Sequence, residues 1–429
     1  MKTIGLVYGN LSLGGIQRGA SFQIPMFAAW GYRVVVLTNA PASDQDYSVE
    51  GMSARVSIGV APGDVERRAR AVERIIREYG IDILVHHHAY SCEEPRADIL
   101  GASYAHVPVI VFWHSVFSHF LLRKTRQLET KPVFEACRGA AAMITLTKTD
   151  EAFFRMSGCP ALAIPYSDPD LMKGFSRTDH PRRIVWMGRF DEMKRPMDAI
   201  WIFTKVFARF PDAELYMLGA AADPRVDADL RTFVASVPGL SGAVHFEGFQ
   251  KDVRPYLEKC GVGLVTSRFE GFCHSVVEMK MASLPVVTYE MPYLDTLKPE
   301  SGAIQVPQGN VDAAANAICG LFADSEAFRR QGMRARESYE AIVDVDQKGS
   351  YERLFESVLS GQTDALLKID PEYARLVVRT AVDHVDAALR LMDETVREDC
   401  ARVRGGLRDE LKSLPRRVVK RVLAKLSSR

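Results

Sequence analysis

No window of this chain reaches the roughly 18 uninterrupted apolar residues that a membrane-spanning helix needs, which argues against an integral membrane protein. Seven cysteines are scattered from Cys92 to Cys400 without a CxxC pair. Their odd number and irregular spacing fit reduced thiols better than a disulfide framework or a zinc site. Net charge is missing too, because 55 Lys and Arg against 54 Asp and Glu leave only +1. Bulk attraction to nucleic acid is therefore not expected, and any basic surface must be local. The opening "MKTIGLVYGN" lacks the length and flanks of a signal peptide, so a cytoplasmic protein is expected.

What the chain has is alternation. "TIGLVYG", "YRVVVLTN", "IDILVHHH", "VPVIVFWH" and "AAMITLT" are short apolar runs rich in β-branched residues, the pattern of buried parallel strands. Between them "GGIQRGASFQIPMFAAWG" and "GDVERRARAVERIIREYG" carry helical spacing and end in glycine. The alternation lapses in "LAIPYSDPDLMKGFSRTDHPRR", which has the Pro, Asp and Ser content of a linker, and then resumes. "RRIVWMGRF", "AELYMLG", "AVHFEGF", "VGLVTS", "LPVVTYE" and "AIQVPQ" form a second set of strands. At 429 residues the chain exceeds what one core organises. The expectation is an α/β protein of two tandem Rossmann-like domains, with ligands in the cleft between the carboxyl ends of both sheets. The expected boundaries are 1–172 and 180–345, then a helix over 346–361 crossing back to the first domain and a helical, basic extension over 362–429.

Asp370-Pro371-Glu372 reads as a helix start. Val378, Val382, Val385, Leu389, Met392 and Val396 then recur at steps of four and three, the period of a coiled-coil seam. The pattern fits a homodimer through 371–411 or a helix folded back on its own chain, and both stay open. Residues 412–429 are basic and amphipathic.

The chemistry concentrates in "RFEGFCHSVVEMKMASLPVV", residues 268–287, where Glu270 precedes a helix and Glu278 lies within it. Alone, two such glutamates mean little, since a carboxylate near a helix N-terminus and a solvated helix residue are both ordinary. "WMGRFDEMKRP" adds Arg189 directly after a strand end and Lys194 five residues later. A guanidinium, an ammonium and a helix N-terminus preceded by Gly271 suit a diphosphate. Glu278 is then placed for a ribose and Glu270 for a transferred sugar. Cys273 reads as a small packing residue and His86 and His87 as structural, because no third ligand stands at metal spacing.

Gly188-Arg189, Lys194, "VHFEG" ending at Gly248, and Glu270-Gly271-Phe272 with Glu278 together resemble the retaining GT-B glycosyltransferases of glycosyltransferase family 4 (glycosyl transferases group 1). The likeness extends over most of residues 1–361. It implies a GT-B fold and a hexosyltransferase that moves a sugar from a UDP- or GDP-sugar to an acceptor hydroxyl with retention. No cofactor or metal is implied, in keeping with the lack of an Asp-x-Asp pair at a strand end. It also implies that Gly15, in "LGGIQR", lets the diphosphate approach the backbone and that His114 contacts the donor sugar. Arg189, Lys194, Gly271, Phe272, Cys273 and Glu278 would bind the donor, with Glu270, His114, Arg189 and Lys194 at the reacting atoms. His88 and Arg18 are acceptor-side candidates.

The sequence departs from the family pattern at Met279, Lys280, Met281 and Ser283, at Cys273 and His274, and in "IPYSDPD". Residues 114–127, "HSVFSHFLLRKTRQ", mix aromatic and basic side chains in a way that suits either a membrane surface or an ordinary amphipathic helix. With the basic tail, they suggest a peripheral enzyme on the inner face of the cell membrane, acting on a lipid-linked or saccharide acceptor in polysaccharide or glycolipid assembly. Two rival readings are a nucleotide-sugar 2-epimerase and a non-catalytic subunit that stabilises an active transferase.

Overall fold

The computed structural model describes residues 1–12, 15–44, 46–88, 93–117, 136–166, 182–221, 223–298 and 300–382; at Gly15, Arg18, His88, Glu93 and Glu94 it describes the backbone alone. The linker residues 167–181, most of the aromatic and basic stretch 114–127, and everything after residue 382 lie outside the described residues.

Two all-parallel sheets carry the fold. The first has seven strands, β1 (Thr3–Tyr8), β2 (Arg33–Thr38), β3 (Ala54–Ser57), β4 (Ile83–His88), β5 (Val109–Trp113), β6 (Ala142–Thr145) and β7 (Ala161–Ala163), in the order β3-β2-β1-β4-β5-β6-β7. The second has six, β8 (Arg183–Met187), β9 (Glu214–Leu218), β10 (Val244–Gly248), β11 (Val262–Val265), β12 (Val286–Tyr289) and β13 (Ala303–Val306), in the order β10-β9-β8-β11-β12-β13. Because the apolar runs are buried on both faces, helices must cover both sides, and the crossovers supply them. All the strands read from the sequence are present. The structure adds two that were missed, the short edge strands β3 and β7.

Each sheet reverses strand order once, between β1 and β4 in the first and between β8 and β11 in the second. Such a reversal opens a crevice at the carboxyl ends, since the two connecting helices leave on opposite faces. The loops after β8 and β11 carry Lys194 and Glu270.

One apolar cluster crosses from the first half to the second. It includes Ile4, Leu6, Phe27 and Phe112 from the first sheet and its helices, and Val265, Phe272, Val276 and Tyr293 from the second. The helix Gln347–Ser360 returns to the first half. Tyr351 packs edge-on against Phe27 with ring centroids 4.9 Å apart, its hydroxyl accepts a 2.7 Å bond from Gln23 Nε2, and Gln347 Nε2 donates to the Pro165 carbonyl at 2.7 Å.

Helix 371–382 buries Tyr373, Val377 and Thr380, so one face folds back onto the chain. Val378 and Val382, the first two residues of the seam, stay more than half exposed. The rest of the seam lies outside the described residues. Among those that are described, no helix is long and apolar enough to cross a membrane.

Candidate active site

After β8, the turn at residues 188–195 is laced to the loop after β11. Thr266 Oγ1 donates to the Lys194 carbonyl at 2.7 Å and Arg268 N–H to the Met193 carbonyl at 2.8 Å. Asp191 closes the turn by accepting the Lys194 N–H at 3.0 Å. The Lys194 side chain is thereby delivered to the loop that holds Glu270, and its ammonium forms an ion pair and hydrogen bond with Glu270 Oε1. Ser267 Oγ donates to the same oxygen at 2.6 Å. Burial pulls the Lys194 ammonium down most strongly, but the Glu270 charge, the Cys273 thiol and the Glu270 hydrogen bond together outweigh it and the net shift is upward, so this lysine stays charged.

Arg189, the second cation expected at the diphosphate, stands at the rim of the site. Its side chain is 75% exposed and meets Asp191 at 3.0 Å, because a long side chain on a rim finds the carboxylate two residues on. It still stands close enough for its charge to oppose that of Lys194.

Glycine clears the floor beside these groups. Gly188, Gly219 and Gly248 end or follow the neighbouring strands β8, β9 and β10. At Gly219, φ is 146° and a Cβ would stand 1.8 Å from the Gly188 carbonyl oxygen, so no other residue fits. Gly219 belongs to this floor and was not singled out by the sequence reading.

The helix His274–Met281 starts one turn after Glu270. Its N-cap Cys273 is in the left-handed region, with φ 62°, and no side chain caps this end. The first amides are thus not taken up by a capping side chain. Burial, reinforced by Glu270, pushes the Cys273 thiol up to about 12, which makes it a packing group and not a nucleophile. Glu278 is buried on this helix and Phe272 is buried beside Tyr166. The residues that depart from the family pattern turn inward here. Met279 and Met281 are buried, and Lys280 donates to the Thr296 carbonyl and, at 3.1 Å, to Ser338 Oγ.

The two halves meet at Gly271. A Cβ there would lie 2.8 Å from the His114 carbonyl oxygen and 3.3 Å from Ser115 Cα, so only hydrogen fits this approach. His114 stands at the end of β5, as expected, but its ring is embedded in a polar and aromatic stack. Its Nε2 is 2.8 Å from His87 Nδ1 and its Nδ1 is 3.2 Å from Tyr166 Oη. The His87 ring stacks on Tyr8 at 4.0 Å, and burial first, then His114 and His86, hold His87 well below the usual histidine range. His87 is therefore a neutral partner of His114, a link the sequence did not show. His86 instead lies 2.8 Å from Asp98, which also holds the buried Arg68. Gly15 begins the helix Gly15–Ala29 after β1, and His88 ends β4, so both flank the reversal of the first sheet. The side chains of Arg18 and His88 lie outside what is described. A separate open cavity of about 560 Å³, lined by Phe328, Arg329, Met333 and Arg336, contains none of these residues.

Comparison with known proteins agrees with this layout. The family model "Glycosyltransferase Family 4" matches residues 13–164 and "Glycosyl transferases group 1" matches residues 181–324. A lipopolysaccharide core biosynthesis glycosyltransferase of Rhizobium meliloti is 30% identical over 170 residues, which are 38% of this chain and 47% of that protein. A poly(glycerol-phosphate) alpha-glucosyltransferase of Bacillus subtilis is 26% identical over 163 residues, 37% of this chain and 24% of the relative. The matched part thus spans less than half the length of either curated relative. Among solved structures, Anabaena HepE in complex with UDP and glucose superposes with a TM-score of 0.68 at 14% identity, covering 84% of this chain and all of that one. A glycosyltransferase from Rickettsia africae gives a TM-score of 0.68 at 13% identity, over 83% of this chain and 98% of its own. With glycosyltransferase models matching both halves in turn over more than half of the chain, and the two-sheet architecture shared with these structures, the chain belongs to the glycosyltransferases of the GT-B fold.

Proposed function

We propose that the cleft moves a hexosyl group from a UDP- or GDP-sugar to an acceptor hydroxyl, with retention and without a metal ion. The observation that carries this reading is the Lys194 and Glu270 ion pair, built at the strand reversal next to an uncapped helix N-terminus. The bond from the anomeric carbon to the diphosphate breaks while the acceptor oxygen bonds to that carbon on the same face. The acceptor proton goes to the departing phosphate oxygen. Charge gathering on the diphosphate is met by Lys194, by Arg189 swinging from the rim, and by the amides that follow Cys273. Glu278 holds the ribose and Glu270 orients the sugar hydroxyls. Gly15, Gly271 and Phe272 shape the wall, and the His114 edge of the first half faces the sugar. Closure of the halves keeps water from the donor.

The acceptor is a saccharide or lipid-linked chain in cell-surface polysaccharide or glycolipid assembly, which the names of the curated relatives support. A peripheral position on the inner membrane face, through residues 114–127 and 412–429, and a homodimer through 371–411 complete the proposal. The exposed Val378 and Val382 support the latter.

The test is nucleotide release from a panel of UDP-, GDP- and ADP-sugars in EDTA, comparing the wild type with Arg189→Ala and Lys194→Ala. Slow hydrolysis of one donor, lost in both variants, is expected. If no donor is cleaved and none raises the melting temperature, a non-catalytic partner subunit replaces the transferase. Interconversion of the donor sugar at C2 without acceptor would identify an epimerase.

A further inference from the structure

The loop after β12 carries none of the residues that the sequence singled out, yet it ties the halves together. Tyr293 is buried, and its hydroxyl accepts the Glu270 N–H at 3.1 Å. Its own carbonyl accepts a 3.0 Å bond from Thr149 Oγ1, which belongs to the helix Lys148–Met156 of the first half. Two residues on, Asp295 Oδ2 accepts the Lys148 N–H at 2.8 Å. Behind, Lys280 holds the Thr296 carbonyl and Lys298 contacts the Tyr373 hydroxyl. The loop is pinned on the second-half side by Lys280 and by Gln305, which accepts the Met291 N–H at 3.0 Å and donates to the Leu297 carbonyl at 2.8 Å, while Lys148 and Thr149, in the first turn of one helix, hold it from the first half.

We propose that Tyr293 is a positioning residue that makes the placement of Glu270 depend on the seating of the first-half helix Lys148–Met156 against the second half. Thr149 fixes the Tyr293 main chain, the ring carries that placement through the apolar cluster, and the hydroxyl fixes the Glu270 main chain beside Lys194. Burial keeps the phenol well above its usual range, so it stays a neutral acceptor at working pH. When the halves part, Thr149 leaves the Tyr293 carbonyl, and the Glu270 loop loses a support. The sugar-binding carboxylate, which Lys194 and Ser267 hold in either state, is then set less firmly in the open protein than in the closed one, which would spare the donor from hydrolysis in the open one. This inference rests on the reading that Glu270 meets the donor sugar.

The experiment uses the full chain as Tyr293→Phe, Thr149→Val and the two combined, with Thr149→Ser as the conservative control. Titration calorimetry compares UDP with UDP-glucose, and GDP with GDP-mannose, and donor hydrolysis is followed for the pair the wild type prefers. Tyr293→Phe is expected to bind the bare nucleotide as the wild type does, to lose the extra affinity given by the sugar, and to lower kcat for donor hydrolysis about tenfold. Thr149→Val should do the same more weakly, the double variant should be no worse than Tyr293→Phe, and Thr149→Ser should behave as wild type. Equal loss of nucleotide and nucleotide-sugar affinity would reveal a merely structural bond and overturn the proposal, as would unchanged kinetics in Tyr293→Phe. A wild type that binds neither nucleotide refutes the transferase reading and takes this one with it. Variants indistinguishable from a donor-binding wild type remove this one alone.

Discussion

Lys194→Met isolates the ion pair at the centre of the site. It leaves the Glu270 carboxylate, only 9% exposed, leaning on the Ser267 hydroxyl at 2.6 Å. Stranding one member of a buried pair costs about 3–5 kcal/mol, and since the Lys194 side chain keeps 21% of its surface, the lower end applies, about 3 kcal/mol. For domains the size of each half, that corresponds to a fall in melting temperature of roughly 6 to 12 °C. Glu270→Gln leaves the ammonium at a partly wetted edge and should cost less, about 1 kcal/mol. The double variant should cost about 2 kcal/mol, half the sum of the two single losses, a coupling of about 2 kcal/mol in a cycle measured by urea unfolding. Donor hydrolysis provides the second readout. The double variant should be stable and inactive, because neither the phosphate cation nor the sugar carboxylate is present. Additivity within about 0.5 kcal/mol would show that the two charges do not sense each other, and an active double variant would remove both side chains from the chemistry.

Gly271→Ala should place a methyl group against the His114 carbonyl and cost about 1–3 kcal/mol by overpacking, with the donor KM rising; an unchanged KM and melting temperature would refute the close approach. Burial, with Asp295 adding to it, pushes the buried Asp150 carboxyl up to about 7 against the bonds from Thr147 and the Phe117 N–H. Its folded value lies above the unfolded one, so stability should fall as pH rises from about 4 to about 7, and Asp150→Asn should flatten that arm in urea midpoints. Burial pulls Lys280 down to about 7, so its contribution should rise with pH between about 7 and about 10.5, and Lys280→Met should remove that rise while stabilising the protein near neutrality.

The buried strands were legible because a parallel strand covered on both faces must be apolar along its whole length. β3 and β7 were not, because each is a short edge strand whose residues are mostly only half-buried, and "ARVS" and "ALA" leave no run to detect. At the site, Lys194, Glu270 and Gly271 could be found by residue type and spacing from a strand end. Tyr293 and Thr149 could not, since their roles come from two hydrogen bonds, one across 144 residues, and neither type is unusual in its place. The His87 contact with His114 was hidden for the same reason. In helix 371–382 the valine repeat drew the reading to a seam, while Tyr373 and Val377, one turn apart, were the pair that docks.

The return of helix Gln347–Ser360 to the first half bears on synthesis. Tyr351, Leu354, Phe355 and Val358 complete the cluster that begins at Ile4, and Tyr373 and Val377 extend it. The amino-terminal half therefore emerges from the ribosome with a hole in its core that is filled only some 190 residues after its last strand, β7. Until that helix arrives, Phe27 lacks the Tyr351 and Phe355 rings that pack against it in the folded chain. A chimera joining this first half to another transferase's second half would need to carry residues 347–382 with it.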